Sequence, residues 1–122
     1  MDGLTLQVYV RHSDKAVDLY KRAFDAELSN IHQNDDGTYT HVEVVFHGFR
    51  IVVSESWLSE VKIGNTMQFI MQFGAGTEAA VGKAYETLKD GAEILHPLGP
   101  IGWSPFAFGL IDKFGVFWCI AV

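Results

Sequence analysis

Apolar and polar positions alternate from Leu4 to Val10, with Leu6, Val8 and Val10 on one side and Thr5, Gln7 and Tyr9 on the other. That alternation predicts a strand with two distinct faces. The period then changes. Ala16, Val17, Tyr20, Ala23 and Phe24 recur at spacings of three and four, the stripe of an amphipathic helix. Ser13 is placed to cap it, with Asp14 in its first turn. Glu27 to Gln33 reads as a weaker strand, Asn34-Asp35-Asp36-Gly37 as a turn, and Tyr39 to Phe46 as the returning strand. His47-Gly48 reverses the chain into Phe49 to Ser54. The first half is therefore β-α-β-β-β.

Ser56 to Thr66 breaks the pattern and reads as a connection, with Gly64-Asn65 as its turn. The order then repeats. Met67 to Phe73 alternates again, with Gln68, Ile70 and Gln72 on one face. Thr77 caps a helix with the stripe Ala80, Val81, Ala84, Tyr85 and Leu88, and Gly91 is suited to its C-cap. Ala92 to Leu95 reads as a short strand and Pro97 to Trp103 as a loop. Phe106 to Ile111 and Val116 to Val122 form a closing hairpin around Asp112 to Gly115. In its last strand Val116, Trp118 and Ile120 oppose Phe117, Cys119 and Ala121.

Residues repeat along with order. Ala16-Val17 with Tyr20 and Phe24 matches Ala80-Val81 with Ala84 and Leu88, and Asp25-Ala26-Glu27-Leu28 matches Gly91-Ala92-Glu93-Ile94. A period of about 65 residues occurring twice marks a pseudo-duplication, since a solenoid needs three or more units. The expected fold is α+β: one domain of two βαβββ modules, 1–55 and 67–122, joined by 56–66. Each module presents a curved sheet with a helix outside. The inner faces, Thr5/Gln7/Tyr9 and Gln68/Ile70/Gln72, are expected to enclose a cleft.

Composition narrows the function. Apolar residues make up 48% of the 122, and aromatics 13%, which excludes a disordered chain. No apolar run reaches the roughly 18 residues of a membrane span, and no signal-peptide pattern opens the chain. The single cysteine permits no internal disulfide and suits a reducing compartment, so a cytoplasmic location is expected. A net charge of −6 without a block of Lys or Arg argues against a nucleic-acid partner.

The paired modules, the entry Val10-Arg11-His12-Ser13-Asp14-Lys15-Ala16-Val17-Asp18-Leu19-Tyr20 and the ending Asp112-Lys113-Phe114-Gly115-Val116-Phe117-Trp118 resemble the vicinal oxygen chelate superfamily. That superfamily holds glyoxalase I, bleomycin-resistance proteins, fosfomycin-resistance enzymes and extradiol dioxygenases. The ending is most similar to its PhnB-like branch. The resemblance implies a metal held by His, Gln or Glu from the first and fourth strands of each module. Those positions fall on Thr5 and Gln68, and on Val52 (or Ser54) and Cys119. Only Gln68 is a usual ligand of the family, and a stable site needs three or four suitable donors. The family's metal is therefore expected to be lost, with no cofactor in its place. A displaced divalent-metal site at His41, Glu43 and Gln68 is the alternative, and would make the chain a metal-dependent lyase, isomerase or dioxygenase.

Other chemistries have less behind them. Gly74-Ala75-Gly76 is too short for a dinucleotide fingerprint. Some PhnB-like proteins carry methyltransferase names, but nothing here forms a glycine-rich nucleoside site. Cys119 lacks an evident base and reads as a small buried residue. What the sequence does offer is a lining. Trp57, Trp103, Phe106, Phe108 and Phe117 supply aromatic surface, and Gln7, Tyr9, Gln68 and Gln72 supply hydrogen bonds. The expected function is binding of a small, partly aromatic molecule in the manner of the bleomycin-resistance branch. The resemblance further implies a homodimer.

Overall fold

The computed structural model describes residues 1–122. The elements run β1 (Gln7–Val10), α1 (Ser13–Phe24), β2 (Glu27–Gln33), β3 (Tyr39–Phe46), β4 (Phe49–Glu55), β5 (Phe69–Gln72), α2 (Glu78–Leu88), β6 (Glu93–Ile101), β7 (Ser104–Ile111) and β8 (Phe117–Ala121). They form two compact units, Met1–Val61 and Lys62–Val122. Each unit is a four-stranded sheet with one helix, in the orders β1-β4-β3-β2 and β5-β8-β7-β6. The βαβββ order therefore occurs twice, as the repeated pattern predicts.

In the first unit β1 runs parallel to β4, and β4-β3-β2 is an antiparallel meander. Val8 faces Val53, Val53 faces Val42, and Ile51 faces Val44, so these side chains share one surface. α1 lies on that surface: Phe24 stacks on Phe46 with ring centroids 4.9 Å apart. The stripe foreseen for the helix is its buried side, with Ala16, Val17, Tyr20, Ala23 and Phe24 all at 3% exposure or less.

Ser13 does not cap α1. It is already helical, and its hydroxyl accepts a hydrogen bond from the Tyr39 N–H at 2.8 Å. The cap comes from β4 instead. Glu55 accepts from the N–H groups of His12 at 3.1 Å and Ser13 at 2.8 Å, placing a carboxylate at the positive end of the helix.

The second unit repeats the scheme with β5 parallel to β8 and β8-β7-β6 antiparallel. Its helix side carries Phe69, Trp118 and Leu110 in one row and Met71, Ile120 and Phe108 in the next. Tyr85 of α2 meets Phe108 edge-on at 5.1 Å.

The segment Pro97 to Trp103 is not a loop. Most of it belongs to β6, and Gly102-Trp103 is the two-residue turn of a β6-β7 hairpin, with Ile101 opposite Ser104. Its Pro and Gly residues are tolerated because β6 is an edge strand whose register shifts at bulges. The first strands are also shorter than the alternation suggests. Thr5 precedes β1, and Met67 and Gln68 precede β5.

Candidate functional site

Each sheet has one face covered by its helix and one face turned away from it. In the first unit the row across the second face joins Gln7, Val52, Glu43 and Ser29, and the next pairs Tyr9 with Ser54. The centre is closed, since Val52 and Ser54 are each 2% exposed. Gln7 Nε2 donates to Ser54 Oγ at 2.7 Å. Gln7 and Tyr9 themselves are exposed, as a contact surface requires.

His41 and Glu43 lie on this same face, further toward the β2 edge. They do not stand alone. Asn30 adopts a left-handed backbone (φ 48°) where the β2-β3 register shifts, which turns its side chain onto the face. Its amide nitrogen lies 3.3 Å from His41 Nε2 and 3.5 Å from Glu43 Oε1, while its carbonyl oxygen lies 3.1 Å from His32 Nε2. Arg50 Nη1 sits 3.7 Å from the other Glu43 oxygen. The sequence singled out His41 and Glu43 but not Asn30 or His32, because only the register shows that His32 faces His41.

In the second unit the face away from α2 is built from small residues. One row joins His96, Gly109, Cys119 and Ile70, and the next joins Gly99, Ala107, Ala121 and Gln72. Gly109 leaves the span between His96 and Cys119 without a side chain. Any Cβ there would stand 3.7 Å from the His96 Cβ. His96 Nδ1 is buried without a hydrogen-bond partner. Burial pushes the Cys119 thiol pKa upward, so the free thiol stays neutral and is a poor nucleophile.

The expected lining residues are divided by these faces. Phe117, half-buried, and Gln72, exposed, belong to the small-residue face. Phe108 does not: at 1% exposure it is packing beneath α2, against Tyr85. Phe106, two positions along the same strand, takes the same side and is half-buried. Trp103 is 52% exposed at the tip of the β6-β7 turn, and Trp57 is 78% exposed after β4. Gln68 is exposed just before β5. No three His, Cys, Asp or Glu side chains are gathered closely enough to hold an ion among them.

The glyoxalase/bleomycin resistance protein/dioxygenase superfamily model matches residues 4–120. Among curated proteins, none matches the chain by sequence. Solved structures with the same fold include the PhnB protein from Bacillus cereus, at 21% identity and a TM-score of 0.83 over 98% of both chains. The fosfomycin resistance protein FosX from Listeria monocytogenes is 15% identical with a TM-score of 0.71, covering 99% of this chain and 93% of its own. TioX from Micromonospora is 23% identical with a TM-score of 0.62, over 97% of both chains. At these identities the solved structures establish the fold, and the family match spans nearly the whole sequence. Two βαβββ units closed by the Asp112 to Trp118 hairpin thus belong to the glyoxalase/bleomycin resistance/dioxygenase superfamily.

Proposed function

We propose that this chain binds a small, partly aromatic molecule without the superfamily's metal, as a cytoplasmic homodimer. The observation that carries this reading is the face of the second unit away from α2. Ala107, Gly109, Cys119 and Ala121 form a buried patch of small residues there, and His96 Nδ1 is a buried polar atom lacking a protein partner. Such an atom calls for a compensating contact, and a ligand's hydrogen-bonding group would supply it. Phe117 and Gln72 on the same face offer an aromatic contact and an amide.

The donor chemistry at the family's metal positions supports the metal-free part. Val52 has no donor atom, Cys119 is a single buried thiol, and Thr5 lies outside β1. Gln68 is the one usual ligand type, and one amide oxygen does not hold a transition metal. The residues present do not fit the metal, so no reaction step is assigned to it.

Thermal unfolding against a panel of aromatic carboxylates, phenols and heteroaromatics tests the proposal. A ligand at about a hundred times its dissociation constant stabilises the native state by roughly 2.7 kcal/mol, several degrees in a domain of this size. The expected result is a shift with at least one class, lost in a folded His96→Ala variant. No shift from any class, or a shift that His96→Ala leaves intact, overturns the proposal.

A further inference from the structure

Aspartate precedes glycine three times in the chain, at Asp2-Gly3, Asp36-Gly37 and Asp90-Gly91. An aspartyl-glycyl pair is prone to spontaneous isomerisation, because the glycine has no side chain to shield its nitrogen. That nitrogen attacks the aspartate Cγ. A C–N bond forms, and a carboxyl oxygen leaves as water together with the amide proton. Water then reopens the five-membered imide. Cleavage at the main-chain carbonyl leaves the backbone running through the side-chain carbon, as isoaspartate. The reaction needs a carboxyl group free to turn and to take up a proton, and a glycine N–H with no other acceptor.

Asp36-Gly37 meets neither condition. Asp36 Oδ1 accepts from the Thr38 N–H at 2.9 Å and from the Thr38 hydroxyl at 2.5 Å, and the Gly37 N–H donates to the Asn34 carbonyl at 3.0 Å. The Thr38 hydroxyl and N–H also hold the Asp36 carboxyl below its ordinary pKa, which keeps it ionised. Asp90-Gly91, in the turn from α2 to β6, is the opposite case. Both residues are exposed, the Asp90 carboxylate has no partner, and the Gly91 N–H donates to no group of the chain. The turn also requires its glycine. Gly91 has φ +71°, and the Lys113 Cβ stands 3.1 Å from where a Cβ on Gly91 would be.

We infer that Asp90-Gly91 is a site of isoaspartate formation in the folded chain, and that Asp36-Gly37 is protected by its turn. The product inserts one carbon into the main chain inside the turn that the Ala92 N–H closes on the Lys89 carbonyl at 3.1 Å. β6 begins two residues later, at Glu93, so the modification strains the edge strand that carries His96. The inference does not depend on the small-molecule reading above.

Prolonged incubation of the full chain at neutral pH, followed by peptide mapping with an isoaspartyl methyltransferase, tests the inference. Asp2-Gly3, exposed and ahead of β1, is the unrestrained comparison. Isoaspartate is expected at position 90 several-fold above position 36. In urea the two positions should convert alike, and Thr38→Val should raise conversion at Asp36 in the folded chain. Asp90→Glu, an exposed change that keeps the charge, should retain its unfolding midpoint through an incubation that lowers that of the unsubstituted chain. Asp90 unconverted when Asp2 has turned over would overturn the site. Asp36 converting as fast as Asp90 in the folded chain, or remaining slower in urea, would overturn the protection assigned to its turn.

Discussion

At the scale of single residues, Asp112 shows what the closing motif does. Its carboxylate is 3% exposed yet fully engaged. Oδ1 accepts from the N–H groups of Phe114 at 2.8 Å and Val116 at 3.1 Å, and Oδ2 accepts from the Trp118 indole at 2.8 Å. One side chain thus fixes the turn and pins Trp118, which is itself fully buried under α2's side of the sheet. Gly115 completes the turn with φ +90°, and a Cβ there would stand 2.7 Å from Ile63. Removing the Asp112 carboxylate strands three donors, two of them in a buried setting. Asp112→Ala is expected to cost about 2–4 kcal/mol, read from denaturant unfolding followed by Trp fluorescence. A loss below about 0.5 kcal/mol would mean that the hairpin holds without its clamp. The motif was visible in the sequence as a family mark. Its mechanical role was not, because that depends on where the Trp118 indole nitrogen points.

At the scale of elements, capping and edges decide what could be read in advance. The helices were legible because apolar residues three and four apart line one side of a helix and fall on both faces of a strand. The capping of α1 was not: Ser13 has the chemistry of an N-cap, but tertiary structure assigns its hydroxyl to Tyr39 and brings Glu55 to the helix end. Glu55→Ala is expected to destabilise the chain by about 1–2 kcal/mol, with Glu55→Gln retaining part of that. Hydrogen exchange at the His12 and Ser13 amides should rise in both variants, and unchanged protection would contradict the cap. Edge strands were the harder case. β6 contains Pro97, Gly99, Pro100 and several bulges, which together imitate a loop, and β2 hides its register shift behind Asn30. These are the strands that carry His96 and the His32–Asn30 pair. Bulges re-aim side chains, so the same irregularity that obscured the strands placed the candidate site residues.

At the scale of the whole molecule, the duplicated βαβββ order and the superfamily were both legible, since they rest on periodicity and on turn residues at fixed places. The lining of the site was legible only in part. Alternation correctly put Phe117 with Cys119 and Ala121, and Gln7 with Tyr9. It could not say which face of β7 the helix covers, and so Phe108 was expected at a ligand but packs against Tyr85. Gly109 carries no side chain to attract notice, although it stands between His96 and Cys119 in the row. The most direct measurement is a heteronuclear NMR titration of the chelator-treated protein with the aromatic compound that stabilises it best. Binding at the proposed face should move the amides of Ala107, Gly109, Cys119 and Ala121 together with the His96 ring signals, and added chelator should change nothing. Shifts confined to other surfaces, or binding that appears only when a metal is restored, would contradict a metal-free ligand site built on that face.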